Sequence, residues 1–168
     1  MFARQLRQFA LAATASSGSV TAVFDALQQL CHAVVGVKLF TITDHDPARD
    51  TVCRLYSSMP AAYPVSGTKP SERDSDWHRR VIGCHETFVL NSSPEIAAAF
   101  PDHALIQSLG CGSVINVPIV VAGRVLGTLN CLDAEGRYTP EVAARSELLK
   151  LPGAIAMGMH RLLGAAEL

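Results

Sequence analysis

The chain has 168 residues, of which 49% are apolar and 17% are charged, and its formal net charge is −1. This length suits a single domain, and the apolar fraction exceeds that of a disordered chain, so we expect a packed core. No block of basic residues occurs, so we expect no nucleic-acid partner. Polar residues interrupt every apolar stretch before it reaches the ~20 residues of a membrane span, so we expect no membrane partner.

The five cysteines are spread along the chain with irregular spacing. They are Cys31, Cys53, Cys84, Cys111 and Cys131. An odd number of cysteines without close pairs argues against the disulfide framework of a small secreted protein. The N-terminal apolar stretch is also short for the core of a signal peptide. These features predict a cytoplasmic protein.

Two helices are predicted at the N-terminal end. Apolar residues recur at helical spacing from Phe2 to Ala13, which predicts an amphipathic helix over about residues 3–15. A loop composition at residues 16–19 separates it from a second helix, whose apolar stripe runs from Val20 to Val34. Gly36 is a suitable stop for this second helix.

The next segment has the pattern of two paired strands followed by a loop. Val37–Thr43 is rich in β-branched and aromatic residues, which predicts a strand. A polar turn is predicted over Asp44–Asp50, after which Thr51–Ser57 pairs back. Residues 60–74 are rich in Pro, Ser and Gly, which predicts a loop with a short strand around Val65.

The middle of the chain is predicted to be irregular. Asp76–Ile82 has the pattern of a brief helix that ends at Gly83, and Phe88–Leu90 that of a short strand. Residues 94–109 have a helical composition that is interrupted at Pro101, because proline cannot continue a helix. No linker or internal repeat divides the chain.

A β-hairpin is the clearest local prediction. Two strands, Val114–Val121 and Val125–Leu132, are joined by the tight turn Ala122-Gly123. Side chains alternate between the two faces of a strand, so the polar and apolar residues of one face can be read from the sequence. The residues predicted to share this face are Val114, Asn116, Asn130 and Leu132.

A long final helix is predicted after the hairpin. Thr139 is a suitable cap, Pro140 fits the first helical position, and Glu141 places an acid in the first turn. Pro152 should kink this helix, because it removes one backbone hydrogen bond. The apolar stripe predicted for this helix consists of Leu148, Leu149, Ile155, Met159 and Leu162.

The order of these elements resembles the GAF domain. The residues that carry the resemblance are Ser-Val-Ile-Asn-Val-Pro-Ile at 113–119 and Gly-Arg-Val-Leu-Gly-Thr-Leu at 123–129. The resemblance implies one α+β domain over residues 1–168, with a core of about 20–163. It further implies a PAS-related central antiparallel sheet. The N- and C-terminal helices lie on one face of this sheet, and an irregular layer of helices and loops covers a small-molecule pocket on the other.

The function that the resemblance implies is sensory and regulatory. We expect a non-catalytic domain that binds an unidentified small molecule and signals through its terminal helices, either to a partner signalling protein or within a homodimer. The apolar stripes of the first and last helices favour a helical-bundle homodimer, although the same stripes could simply cover the sheet. A ligand-free protein-interaction module is a further alternative.

Eight residues are predicted to contact the ligand. The sheet face contributes four of them, an aromatic pair adds two, and two cysteines flank the presumed pocket. They are Tyr56, Trp77, Cys84, Cys111, Val114, Asn116, Asn130 and Leu132. No catalytic residue and no metal ligand is assigned.

Three more specific GAF activities were compared with the residues. Cyclic-nucleotide-binding members carry an Asn-Lys pair where this chain has Asn130-Cys131. Bilin-binding members carry a cysteine where this chain has Asp102, so no covalent bilin is expected. The free methionine-(R)-sulfoxide reductases are the alternative enzyme. Cys84 and Cys111 would supply its thiols, but the acids that protonate the sulfoxide are missing from the hairpin.

A metal site would require ligand residues at suitable spacing. Asp44, His45 and Asp46 form one polar group, and His78 and His103 lie in the irregular middle. Their spacing matches no standard zinc pattern, so no metal is expected and the cofactor is left unassigned.

Overall fold

A computed structural model of the chain describes residues 1–15 and 18–164. The predicted loop at 16–19 therefore falls partly outside the described residues. The helices are α1 (Phe2–Thr14), α2 (Val20–Val34), α3 (Ser93–Ala99), α4 (His103–Ser108), α5 (Pro140–Ser146) and α6 (Lys150–Gly164). A π-helix spans His78–Gly83, and one 3-10 turn, Glu147–Leu149, joins α5 to α6.

Within the described residues, six strands form one antiparallel sheet. They are β1 (Leu39–Asp46), β2 (Thr51–Ser57), β3 (Lys69–Pro70), β4 (Phe88–Leu90), β5 (Ser113–Val121) and β6 (Arg124–Asp133). Their order across the sheet is β3-β2-β1-β6-β5-β4. The predicted hairpin is thus β5–β6, and its turn residues Ala122 and Gly123 both have positive φ, at 50° and 73°. A turn of this shape matches the right-handed twist of the two strands.

One face of the sheet carries the main hydrophobic core. Phe40 and Ile42 of β1 lie beside Leu129 and Cys131 of β6, and all four are fully buried. The apolar stripe of α2 packs on this face, as its period predicts. Helices α1 and α6 complete the layer.

The first strand is longer than predicted. The polar residues Asp44, His45 and Asp46 pair with β2, so β1 continues to Asp46. The turn begins there because Asp46 Oδ1 accepts the backbone N–H groups of Ala48 and Arg49, at 2.9 and 3.2 Å. Polar side chains at a strand end were mistaken for the turn itself.

The predicted short strand around Val65 is wrong. Val65 is 57% exposed, and the strand lies at Lys69–Pro70, opposite Val52 and Thr51. A proline lacks the N–H that a central strand needs, and β3 lies at the sheet edge, where that lack is tolerated.

The final helix is broken rather than merely kinked. Pro152 lies in the first turn of α6, where its missing N–H would otherwise bond the carbonyl of Leu148, and the chain forms a 3-10 turn there. The predicted stripe is wrong at three of its five residues, because Leu148, Ile155 and Leu162 are exposed, whereas Leu149 is fully buried and Met159 packs against the core.

Small residues decide which face of α6 is buried. A Cβ at Gly153 would lie 2.4 Å from Ile119 Cδ1, so only glycine permits this close approach to the sheet. Ala156 and Met157 are fully buried on the same side. Hydropathy favoured the leucines because it gives little weight to glycine and alanine.

No helix in the described ranges combines the length and the apolar character needed to cross a membrane. Most of the sequence-based elements are thus confirmed in type. Their errors concern the end of β1, the place of β3 and the buried face of α6.

Candidate functional site

A cavity of about 150 Å³ lies on the sheet face opposite α2 and α6. Its floor is formed by alternate residues of the three central strands, because every second side chain points to this face. These floor residues are Thr41, Thr43, Val114, Asn116, Thr128, Asn130 and Leu132. Its cover comes from the loop after β2, the residues before the π-helix, and the connection between α3 and α4.

A series of hydrogen bonds connects the polar floor residues, and each bond is donated in the same direction along the series. The Trp77 indole Nε1 donates to Asn116 Oδ1 at 3.0 Å, and Asn116 Nδ2 donates to Asn130 Oδ1 at 2.7 Å. Asn130 Nδ2 then donates to the hydroxyl oxygens of Thr41 and Thr43, each at 3.0 Å. Since an indole N–H can only donate, it sets the orientation of both amides.

Two buried hydroxyls of the cavity lack a partner. Thr128 Oγ1 and Ser71 Oγ are both buried, and neither forms a hydrogen bond within residues 1–15 and 18–164. Thr128 lies opposite Thr43 in the β1–β6 pairing and is 2% exposed. Buried hydroxyls are nearly always hydrogen-bonded, so this floor is suited to a bound polar group.

A charged cluster closes one side of the cavity. The Arg54 guanidinium stacks 3.8 Å above the Tyr63 ring, donates to the Pro64 carbonyl at 2.8 Å, and lies 3.7 Å from Asp102 Oδ2. The Tyr63 hydroxyl donates to the same carboxylate. Burial and the Asp102 carboxylate raise the pKa of Tyr63, so its hydroxyl stays neutral and donates.

A second polar cluster ties the π-helix to the sheet. Asp50 Oδ1 lies 3.4 Å from His45 Nε2 on β1 and 3.4 Å from His78 Nε2 on the π-helix. Arg73 pairs with the other oxygen. Burial raises the pKa of Asp50, but hydrogen bonds from Arg73, His45 and His78 outweigh it and leave that pKa below its ordinary value. Asp50 therefore stays charged and joins the segment next to Trp77 to β1.

Five of the eight predicted residues line the cavity. They are Trp77, Val114, Asn116, Asn130 and Leu132. The alternation that predicted a common face for the last four is observed. Trp77, the residue directly before the π-helix, contacts Asn116 on this face. That these residues bind a ligand remains a prediction.

Tyr56 is a correction, since it lies on the other face of the sheet. Its partner across the strands is Ile42, a residue of the main core. Its hydroxyl donates to Asp25 Oδ1 of α2 at 2.7 Å and also lies 2.7 Å from Gln28 Oε1 of the same helix. An irregularity in the pairing between Ile42 and Thr43 shifts the register of β2, and sequence alternation alone does not reveal it.

Both predicted cysteines are also corrections. Cys84 is exposed directly after the π-helix, outside the cavity. Cys111 is buried in a small apolar cluster with Ile106 and Leu39, where burial raises the pKa of its thiol. Cys111 lies outside the cavity because the chain turns at Gly110, which places Cys111 before β5 begins.

The floor threonines and the cluster of Arg54 with Tyr63 were not predicted from the sequence. Thr41 pairs with Asn130 and Thr43 with Thr128, so the same alternation extended to β1 would have placed them on the floor. Arg54 and Tyr63 carried no such signal. Asp102, which stands where bilin-binding relatives have cysteine, does lie at the cavity.

Across the described residues, no group of three or more His, Cys, Asp or Glu side chains is arranged to hold a metal ion. The polar lining consists of hydroxyl, amide and carboxylate groups, the Cys53 thiol and one paired arginine, between apolar and aromatic side chains.

This arrangement defines an α+β domain with helices on one sheet face and a covered cavity on the other. A family model for the GAF domain matches residues 19–150. The chain therefore belongs to the GAF domain family. A search among curated proteins finds no significant match.

Solved structures share this fold at low sequence identity. The chain matches the GAF domain of an Acinetobacter phosphoenolpyruvate-protein phosphotransferase with a TM-score of 0.71 and 15% identity, covering 98% of both chains. It matches the GAF domain of a two-component sensor histidine kinase from Bacillus halodurans with a TM-score of 0.69 and 15% identity, covering 87% of this chain and 98% of that one.

A third match is to a chromophore-binding domain. The chromophore-binding domain of an unusual bacteriophytochrome from R. palustris matches with a TM-score of 0.66 and 14% identity. This chain is 99% covered but spans only 62% of that structure. At such identities the matches establish the fold, and they show that this fold occurs in sensory and regulatory proteins.

Proposed function

We propose that this chain is a non-catalytic sensory domain that binds a small molecule in the cavity over the β1–β6–β5 face. The observation that carries this proposal is Thr128, which lines the cavity and whose buried hydroxyl has no partner in the described chain. A buried polar group of this kind lowers stability until something binds it. A bound molecule would stabilise the folded state.

The alternative of a thiol-dependent reductase gains no support from the geometry. Such chemistry needs a thiolate at the substrate and a second thiol to resolve the intermediate. Cys84 is exposed outside the cavity, and Cys111 does not line the cavity and is buried among apolar side chains, where its raised pKa disfavours a thiolate. Cys53 does line the cavity, and its thiol donates to the Ser66 carbonyl at 3.0 Å.

Closure of the cavity is connected to the C-terminal helix by adjacent contacts. Trp77 and His78 are consecutive, and His78 contacts Asp50, which also contacts His45 of β1. Arg161 of α6 donates to the His45 carbonyl, to Asp44 Oδ1 and to the Leu126 carbonyl, each at 2.9 Å. We infer that a ligand which repositions Trp77 shifts α6 through this series.

The surface that passes the signal on in this proposal is the exposed apolar stripe of α6 and the 3-10 turn before it. Leu148, Leu151, Ile155 and Leu162 recur at heptad spacing, and Leu151 and Leu162 are 72% and 76% exposed. A heptad stripe fits another helix, and we propose that a second copy of this chain supplies it, with a partner signalling protein as the alternative. All five cysteines are free thiols, which fits a protein of the reducing cytoplasm.

Thermal unfolding against a panel of metabolites tests ligand binding. A ligand at about one hundred times its dissociation constant adds roughly 2.7 kcal/mol, which is readily measured as a rise in melting temperature. Trp77→Phe should reduce this rise, because it removes the indole donor, while the exposed Cys84→Ser should retain it. If no metabolite class stabilises the parent protein, the binding proposal fails and a protein-interaction module takes its place.

Light scattering tests the homodimer. The parent chain should have the mass of a dimer, and Leu151→Glu should give the mass of a monomer because it places a charge in the stripe. Val121→Glu, at the exposed end of the hairpin, is the matched control and should stay dimeric. A parent chain that is monomeric at about 100 μM would contradict a homodimer, since specific dimers commonly associate more tightly than this.

A further inference from the structure

We infer that the ligand of this half-open cavity presents to it an uncharged group about the size of one six-membered ring, with a carbonyl or hydroxyl oxygen directed to the floor threonines. This inference deepens the proposed function and rests on it. Three independent properties of the cavity support it: the direction of its hydrogen bonds, the pairing of its charges and its volume.

The direction of the hydrogen bonds predicts an acceptor on the ligand. Trp77 can only donate, so Asn116 turns its oxygen toward the indole and its nitrogen toward Asn130. Asn130 in turn directs its nitrogen to Thr41 and Thr43. These two hydroxyl oxygens are therefore acceptors, and each keeps one hydrogen to donate.

Those hydroxyl hydrogens have no acceptor in the described parts of the chain. Neither Thr41 nor Thr43 donates a hydrogen bond there, and the neighbouring Thr128 hydroxyl has no partner at all. Thr41 and Thr128 are each 2% exposed, and all three line the cavity. Three hydroxyl donors thus lie as neighbours on one sheet face around Asn130, an arrangement that is suited to a ligand oxygen.

The pairing of charges disfavours an ionised ligand. Among the lining residues that the structure describes, Arg54 is the cation, and it already contacts Asp102, the Pro64 carbonyl and the Tyr63 ring. An anion would find no uncommitted positive charge among these described residues and would lie near two carboxylates, Asp102 and Glu72. A cation would find Asp102 already paired with Arg54 and Tyr63, and the hydroxyl oxygens of Thr41 and Thr43 already accepting from Asn130.

The volume of the cavity limits the size of the ligand group that it encloses. A cavity of about 150 Å³ is comparable to an engineered apolar cavity that accommodates benzene. Val114, Leu132, Ile106 and Phe100 supply apolar walls around the polar floor. One ring with a single oxygen substituent matches both properties.

Four probes that share a phenyl ring test the class. Acetophenone has a carbonyl acceptor, ethylbenzene has none, benzoate is an anion and benzylammonium is a cation. The chain has one tryptophan, so the single indole N–H signal of Trp77 in an NMR titration reports binding at the cavity. We expect acetophenone to shift this signal saturably, with a dissociation constant at least about tenfold below those of the other three probes.

Variants of Thr128 test whether its hydroxyl recognises the ligand oxygen. Thr128→Val should weaken acetophenone about two- to tenfold and leave ethylbenzene unchanged, as expected for the loss of one hydrogen bond. Thr128→Ser keeps a hydroxyl and should retain the preference. Thr51→Val is the matched control, because Thr51 is a strand threonine that does not line the cavity. Equal losses for both probes in Thr128→Val would overturn the role of this hydroxyl.

The remaining outcomes separate this inference from the proposed function. Tighter binding of benzoate or benzylammonium would overturn the uncharged class and leave small-molecule binding intact. Equal binding of ethylbenzene would overturn recognition of an oxygen. If no probe moves the Trp77 signal, the ligand class is wrong, and the metabolite panel then decides whether the sensory proposal fails with it.

Discussion

The two faces of the central sheet differ in what fills the space beside them. On the face toward α2 and α6, Phe40, Ile42 and Leu129 are fully buried against helices of regular period. On the other face, Thr41, Asn130 and Thr128 lie between those same apolar residues along the strands and face a cavity under irregular chain. The first face provides stability, and the second exposes polar groups to a space that a ligand can enter. The same strands thus supply both.

The largest expected effect concerns the core face. Phe40→Ala should lower the free energy of unfolding by about 3–5 kcal/mol, because it opens a cavity in a close-packed region. Phe100→Ala removes a ring of the same size from the cover layer, where Phe100 is only partly buried, and should have a smaller effect. Chemical denaturation of both variants measures the difference. Equal losses would show that the cover layer is packed as tightly as the core.

A smaller effect is expected on the cavity floor. Asn130→Ala should lower the free energy of unfolding by about 1–3 kcal/mol, since it leaves Asn116 Nδ2 without its acceptor. Thr128→Val, on the same strand and face, removes a hydroxyl that has no partner in the described chain and should change stability by less than about 1 kcal/mol, in the stabilising direction. A large loss for Thr128→Val would mean that this hydroxyl has a partner in the free protein.

The smallest effect is expected at Asp50, whose partner Arg73 is 73% exposed and whose histidine contacts are long. The pKa of Asp50 is lower in the folded state than its ordinary value of about 3.9. Its stabilising contribution is therefore complete above that ordinary value and is lost as the pH falls through the folded-state pKa.

Unfolding measured from pH 6 to pH 2 tests this sign. The stability difference between the parent and Asp50→Asn should shrink as the pH falls. Asp74→Asn, at an exposed neighbouring position, should show no such trend. A difference that grows on acidification would contradict the assigned direction.

The local sequence pattern was sufficient to predict elements that bury apolar residues at regular spacing. The α2 stripe, the β5–β6 hairpin and the Thr139 cap of α5 were all predicted, because each depends on spacing within about fifteen residues. The same reasoning failed at α6, where Gly153 and Ala156 face the sheet. Close packing there depends on small side chains, which a hydropathy pattern does not detect.

The candidate site was predicted in part for a related reason. Four of its residues lie on one hairpin, where alternation determines the face. Tyr56 was misplaced because a change of register in the β1–β2 pairing reverses the face of its side chain. Cys84 and Cys111 were placed by their position in the chain, which does not specify a direction in space.

By itself, the sequence determined the order of the elements, the apolar core face and the resemblance to the GAF family. Only the tertiary structure decided which polar groups meet. Asn130 bonds Thr41 across a separation of 89 residues, and Trp77 bonds Asn116 across 39. Periodicity describes a side chain relative to its own strand or helix. The register between distant strands and the path of the covering loops bring such groups within hydrogen-bonding distance.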